Sequence, residues 1–275
     1  MFFDNLGLGE MGVVLALVVV LVKPKELGKV MREFGKFKRK VVQIQADVKS
    51  QLESITAEAE ALEKRSKLQN DKAGMRKWAK EQIGALPATS RAEAALAAAE
   101  KLAEWQSYKN AKTVACFAAT LEEIDTEPVL RRILADGKTL LLPYIVDGAG
   151  GAESKDKTMA MAPVADLEKD LAEGAFDIRE PRPELRNDGA SGAAVPDMVL
   201  VPGLCFDERG GRLGKGLGFY DRYLAGVKAL KVGFCFDVQI TQKNLALDPH
   251  DQMMDAVVSE KRISVFSAPR RGDSE

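Results

Sequence analysis

The chain has 275 residues, enough for one large domain or for a medium domain with an appendage. Its 40 basic and 41 acidic residues leave a net charge of −1, so nothing global argues for a nucleic-acid partner. The cysteines Cys116, Cys205 and Cys235 form no Cys-x-x-Cys pair and there is a single histidine, His250, read as a loop residue; a thiolate zinc centre and a histidine-rich metal site are therefore disfavoured, and the thiols read as buried groups in a reducing compartment.

Residues 6–22 are nearly all apolar, with Glu10 as the one charge, and run uninterrupted from Met11 to Val22. As a helix this segment spans about 25 Å, the short end of what crosses a bilayer. Asp4 before it and Lys23 and Lys25 after it are the wrong flanks for a cleaved signal peptide, so it reads as an uncleaved membrane anchor. A buried helix of a globular domain is the alternative at this length. The basic residues between Lys23 and Lys40 favour the cytoplasmic side, which predicts a single-pass protein of the cell inner membrane with its bulk in the cytoplasm.

From Pro24 onward, apolar residues recur three or four apart through Leu27, Val30, Phe34, Phe37, Val41 and Ile44, then continue through Val48, Leu52, Ile55, Ala59 and Leu62 with a stutter after Ile44. This period predicts a long amphipathic helix. Its first half suits an anionic membrane surface; beyond Gln51 it either pairs with another helix, including that of a second copy, or stands as a solvated spacer. Met1-Phe2-Phe3-Asp4, Gly9-Glu10, Pro24-Lys25-Glu26-Leu27 and Phe34-Gly35-Lys36 together resemble the A/B-type subunits of the twin-arginine protein translocase, with Lys23 where a glycine is usual. That resemblance implies translocase subunits as partners of residues 1–70 and Glu10 as a contact within their membrane bundle. An interfacial place for Glu10 is the alternative.

Beyond this arm the composition becomes that of a soluble α/β domain, expected over residues 71–268 with a disordered tail at 269–275. Lys72 and Arg76, four apart, share a helical face and either reach one anion or form a solvated basic surface. Residues 92–108 predict a helix and 113–118 a buried strand. Glu122-Glu123-Ile124-Asp125-Thr126 follows at the carboxyl end of that strand, where open α/β sheets place ligands, and Thr126 suits the N-cap of a helix through Leu134. Further strands are predicted over 139–143, 197–202 and 232–236, with a glycine-rich loop over 147–158.

The most informative stretch is Arg212-Leu213-Gly214-Lys215-Gly216-Leu217-Gly218-Phe219-Tyr220-Asp221, lying between an apolar run and a predicted helix start. Glycines let backbone N–H groups turn toward an anion, and a helix start adds free N–H groups. The loop is neither a Walker loop nor a Gly-x-Gly-x-x-Gly fingerprint. Asp221 would repel a bound polyphosphate unless a divalent cation lies between them, so nucleotide with Mg²⁺ is the economical reading; a flexible turn with Asp221 capping a helix is the alternative.

Val201-Pro202-Gly203-Leu204-Cys205-Phe206-Asp207, Gly211 and the ten residues above closely resemble the signature of the 5-formyltetrahydrofolate cyclo-ligase family. Lys72-Ala73-Gly74-Met75-Arg76, Glu123-Ile124-Asp125-Thr126, Ile178-Arg179-Glu180-Pro181 and Asp255-Ala256-Val257-Val258 add to the likeness, in order, over residues 72–259. Departures are Leu217, where lysine or glycine is common, and Phe219 for a common tyrosine. The resemblance implies a three-layer domain with a mostly parallel sheet and ATP-dependent cyclisation of 5-formyltetrahydrofolate to 5,10-methenyltetrahydrofolate, releasing ADP and phosphate. It implies that Lys72, Arg76, Arg212, Gly214, Lys215, Gly216, Gly218, Phe219 and Tyr220 hold ATP, with Arg212, Lys215 and Tyr220 at the chemistry. It assigns Glu123, Ala118 and Tyr220 to the folate, and Asp221 with Asp255 to Mg²⁺. The competing reading is a protein-export component or membrane scaffold whose carboxy-terminal domain binds nucleotide without catalysis.

Overall fold

The computed structural model describes residues 24–146, 157–174, 178–186 and 195–266. The expected anchor over 6–22, all but the last two residues of the expected loop over 147–158, and the tail at 269–275 lie outside them. Among the described residues no helix is long and apolar enough to cross a membrane. Contacts divide the chain into two compact units, Met1–Ser66 and Lys67–Glu275.

Helix α1 (Pro24–Gly84) starts with proline, whose fixed φ and missing N–H suit a first helical position. In the first unit Ile44, Val48, Leu52 and Ile55 form an exposed apolar stripe, 49–63% accessible. In the second unit α1 buries Ala79 and Ile83, and α2 (Ala88–Glu104) buries Ala95, Ala98, Ala99, Leu102 and Ala103. The single helix expected over 92–108 is two: Trp105 adopts an extended conformation, and α3 (Gln106–Asn110) follows. The break accompanies burial of Tyr108, whose hydroxyl donates to Asp136 at 2.9 Å.

The main sheet holds β1 (Thr113–Ala115), β2 (Thr139–Val146), β3 (Thr158–Val164), β6 (Met198–Val201), β9 (Leu230–Phe234), β11 (Ala256–Val258) and β12 (Ile263–Val265), in the order β12-β11-β9-β6-β1-β2-β3. The five inner strands are parallel and both edge pairs antiparallel. Strand alternation sorts the core onto two faces. Val114, Leu140, Leu142, Met198 and Leu200 pack with α1, α2 and α4 (Glu127–Ala135), while Ala115, Leu141, Val199 and Val201 pack with Leu224 of α5 (Phe219–Ala225). A three-layer α/β/α domain results.

Two small sheets complete it. One joins β7 (Cys205–Asp207), β8 (Arg212–Leu213) and β10 (Ile240–Thr241); the other pairs β4 (Leu171–Glu173) with β5 (Arg179–Pro181). Thr126 holds the N-cap position of α4 without capping it. Its hydroxyl instead donates to Phe117 O at 2.9 Å and accepts from Ala119 N at 3.1 Å, pinning the chain just beyond β1, while Asp125 accepts the Glu127 N–H at 2.9 Å.

Candidate active site

The inner strands of a doubly wound sheet diverge into loops at their carboxyl ends, and there the domain holds a cavity of about 720 Å³. Phe117 and Ala118 reach it from beyond β1, and Pro202, Gly203 and Leu204 from beyond β6. The β7–β8 hairpin that follows is tied by Asp207, a fully buried carboxylate that accepts the N–H groups of Gly211 at 2.7 Å, Arg209 at 2.9 Å and Leu245 at 2.9 Å. This tie places Arg212 and the glycine loop beside the cavity.

In that loop Gly216 (φ 102°) and Gly218 (φ 69°) adopt left-handed conformations that a side chain would strain, and Gly218 is the N-cap of α5. The glycine requirement read from the sequence thus has a backbone cause. Gly214, Lys215, Gly216, Gly218, Phe219 and Tyr220 all line the cavity, as do Lys72 and Arg76. Arg76 donates from Nε to Gly214 O at 3.0 Å, so α1 of the second unit grips the loop directly.

Three of the cations expected at phosphate have carboxylate partners. Arg212, its side chain 4% exposed, donates to Asp221 Oδ1 at 2.7 Å and to Pro202 O at 3.2 Å. Lys215 meets Thr120 Oγ1 at 3.0 Å and Glu123 Oε1 at 3.1 Å, while Glu123 Oε2 accepts from both N and Oγ1 of Thr120 at 2.9 Å. Lys72 Nζ lies 2.6 Å from both Asp248 Oδ2 and Asp251 Oδ2. Burial alone would lower its pKa; the hydrogen bonds and charges of the two aspartates outweigh burial and hold it above the ordinary lysine value.

Asp221 and Asp251 therefore share the cavity, with Asp248 and His250 beside them. Ligand atoms of Asp248, His250 and Asp251 lie within 4.8 Å of one another. Asp255 does not join them. It precedes β11, at the amino end of a strand parallel to β9, and its Oδ2 accepts the Lys231 N–H at 2.8 Å. It is absent from the cavity lining, where Asp221 is accompanied by Asp248 and Asp251. Asp251 stands in the same short string, four residues earlier; spacing alone could not choose between them, and Asp248 and Thr120 carried no sequence signal either.

Among the described residues the Arg212 Nε and the Tyr220 hydroxyl are buried without a hydrogen-bond partner. Burial pushes the Tyr220 pKa well above its ordinary value, keeping it a neutral donor. Burial likewise pushes the Cys116 thiol to about 12, so no thiolate nucleophile forms at neutral pH.

Known proteins resemble this chain over the same domain. The model of the 5-formyltetrahydrofolate cyclo-ligase family matches residues 68–260. The chain is 28% identical over 198 residues to the 5-formyltetrahydrofolate cyclo-ligase of Mus musculus, covering 69% of this chain and 93% of the mouse protein. It is 29% identical over 173 residues to that of Escherichia coli K12, covering 60% and 87%. The solved structure of Aquifex aeolicus 5,10-methenyltetrahydrofolate synthetase superposes with a TM-score of 0.58 at 28% identity, over 74% of this chain and 95% of that one.

Proposed function

Because the chain belongs to the 5-formyltetrahydrofolate cyclo-ligase family and is an enzyme of that kind, we propose the following site chemistry: 5-formyltetrahydrofolate and ATP are converted to 5,10-methenyltetrahydrofolate, ADP and phosphate, with a divalent cation as helper. The observation that carries this reading is one cavity combining a glycine loop, four cationic side chains and the carboxylates of Asp221, Asp248 and Asp251.

The residues fit such ligands. The Arg212 Nε and Tyr220 hydroxyl are buried polar atoms awaiting partners, and clustered carboxylates suit a hard oxygen-seeking cation. Bound ATP supplies the phosphoryl group that turns the formyl oxygen of the folate into a leaving group, and the cation offsets phosphate charge. Arg76, Lys215 and the N–H groups of Gly214, Gly216 and Gly218 hold the phosphates, with Phe219 and Lys72 beside them. Asp221 and Asp251 hold the cation, assisted by Asp248, while Arg212 fixes Asp221. Glu123 and Ala118 face the folate, and the neutral Tyr220 hydroxyl donates a hydrogen bond within the reacting region. The folate N10 closes a five-membered ring intramolecularly, so the chain supplies no nucleophile and works by positioning and charge neutralisation.

The test is formation of the methenyl chromophore by the full-length chain with 5-formyltetrahydrofolate. Dependence on both ATP and Mg²⁺, with loss in Asp221→Ala, is the expected result; a folded chain that binds ATP and forms no product sinks the proposal.

For residues 1–70 we propose an anchor that holds the enzyme at the inner membrane, facing the cytoplasm. The apolar run at 6–22 and the basic flank from Lys23 support this reading. Extraction of the full chain from membranes by alkaline carbonate would overturn it. The motif around Glu10 favours a second reading, a part in twin-arginine export, which predicts an export defect in Glu10→Ala.

A further inference from the structure

Ile44, Val48, Leu52 and Ile55 lie along one side of α1 in the first unit, each 49–63% accessible. Together with Lys49, Glu53 and Thr56, the first three line an open groove. An apolar stripe left in water does nothing for a helix, whose stability in a protein comes chiefly from packing its amphipathic face. A solvated spacer has no use for such a stripe. An anionic membrane surface does not suit its second half either, because residues 51–63 carry Glu53, Glu58, Glu60 and Glu63 and no cation.

The chain carries its own complement. Residues 36–49 hold Lys36, Lys38, Arg39, Lys40 and Lys49 against the single Asp47, opposite in sign to residues 51–63. The apolar positions are also nearly mirror-symmetric about residue 50: Val48 and Leu52, Ile44 and Ile55, Val41 and Ala59, and Phe37 and Leu62 stand at matching distances on either side. Laying a second helix alongside end for end therefore sets stripe on stripe and basic segment on acidic segment.

Charges flanking the stripe choose the orientation. At about 3.6 residues per turn, Lys40 and Glu58 fall on one flank of the stripe and Glu63 on the other; all three are exposed. In an antiparallel pair like flanks meet, so Lys40 of each copy stands beside Glu58 of the other. In a parallel, in-register pair opposite flanks meet, which sets Glu58 of each copy beside Glu63 of the other and opposes pairing.

We propose that this stripe is the face on which two copies of the chain pair, antiparallel and centred on residue 50. Val48 packs against Leu52 of the second copy, and Lys40 faces its Glu58. The inference concerns the first unit and does not depend on the function proposed above.

The test is cross-linking of the full-length chain in detergent by a short bismaleimide, with single cysteines placed in the stripe. The native Cys116, Cys205 and Cys235 are buried, so wild type serves as the background. A mixture of chains carrying Ile44→Cys and chains carrying Ile55→Cys is expected to give a dimer above that background. Ile44→Cys alone is not, because in this register its two copies lie about 18 Å apart along the pair, beyond the reach of the reagent. Lys40→Glu, added to both chains of the mixture, is expected to lower the yield about fivefold or more, and Glu58→Lys added with it to restore the yield. Failure of that rescue overturns the register. A dimer formed by Ile44→Cys alone as readily as by the mixture means parallel pairing and overturns the proposal. Absence of dimer in the mixture overturns it as well and leaves the stripe to a different partner. Wild type that stays monomeric by light scattering at the same concentration overturns it without any variant, so a weakened cysteine variant does not protect the idea.

Discussion

Residues 214–218 and residues 242–255 both bring polar groups to the cavity, and they do so by different means. The glycine loop works through its own backbone: positive φ at Gly216 and Gly218 is a local property, written in residue type. The second loop works through side chains whose place is set from far away, since Asp248 and Asp251 meet Lys72 across 176 and 179 positions of sequence. A site element made of backbone can be read from a string of letters; one made of distant ion pairs cannot.

Variants can break this contrast or sharpen it. Asp221 belongs to both sides, as it opens the helix after the glycine loop and accepts the Gln252 N–H from the second loop at 3.1 Å. Asp221→Ala is expected to lower kcat at least about 10³-fold. It also costs about 3 kcal/mol of stability by leaving the buried Arg212 without its ion pair, measured by denaturant unfolding. Asp221→Asn, which keeps an acceptor for Arg212, should recover much of the stability and little of the rate.

A smaller effect separates the two aspartates of one string. Asp251→Asn is expected to raise the Mg²⁺ concentration for half-maximal activity about tenfold or more, whereas Asp255→Asn should leave it unchanged and lower stability by about 1 kcal/mol through its weakened bond to Lys231. Equal Mg²⁺ dependence of the two variants would erase the contrast between cavity and strand end.

Lys72→Met tests the long-range side alone, with an expected loss of roughly tenfold in ATP affinity by titration. The Lys72 pKa is raised in the folded chain, so its stabilisation is fully present below the ordinary lysine value of 10.5 and is lost as pH rises through the higher folded value. The stability gap between wild type and Lys72→Met should therefore hold at neutral pH and narrow above about pH 10.5. A gap that widened on the alkaline side would contradict the ion-pair geometry.

The mildest change falls on the local side. Gly216→Ala is expected to cost about 1–2 kcal/mol through its left-handed backbone and to raise the KM for ATP a few-fold, with the Mg²⁺ requirement unaltered. No change in thermal unfolding would mean that the loop relaxes at no cost.

Much of the fold was legible before the structure. Val114, Leu140, Leu142, Met198 and Leu200 sit in apolar runs short enough for buried strands, and they do form the parallel centre of the sheet. The break at Trp105 was not legible, because Ala92 to Tyr108 carries no proline or glycine and only the burial of Tyr108 against Asp136 marks the division. Thr126 misled for a related reason: its residue type suits a cap, while the nearby Phe117 carbonyl and Ala119 N–H offered its hydroxyl other partners.

By itself the sequence determined the alternation that builds a two-faced parallel sheet, the glycines that give the cavity loop its left-handed backbone, and the family resemblance that predicted folate cyclisation. These rest on short-range sterics and periodicity, which residue type encodes directly. Tertiary structure alone decided that Asp251 rather than Asp255 shares the cavity with Asp221, that Arg212 holds Asp221, and that Glu180 lines the same cavity. Each of these depends on which side chains meet after strands far apart in the chain have paired, and such a meeting leaves no local pattern to read.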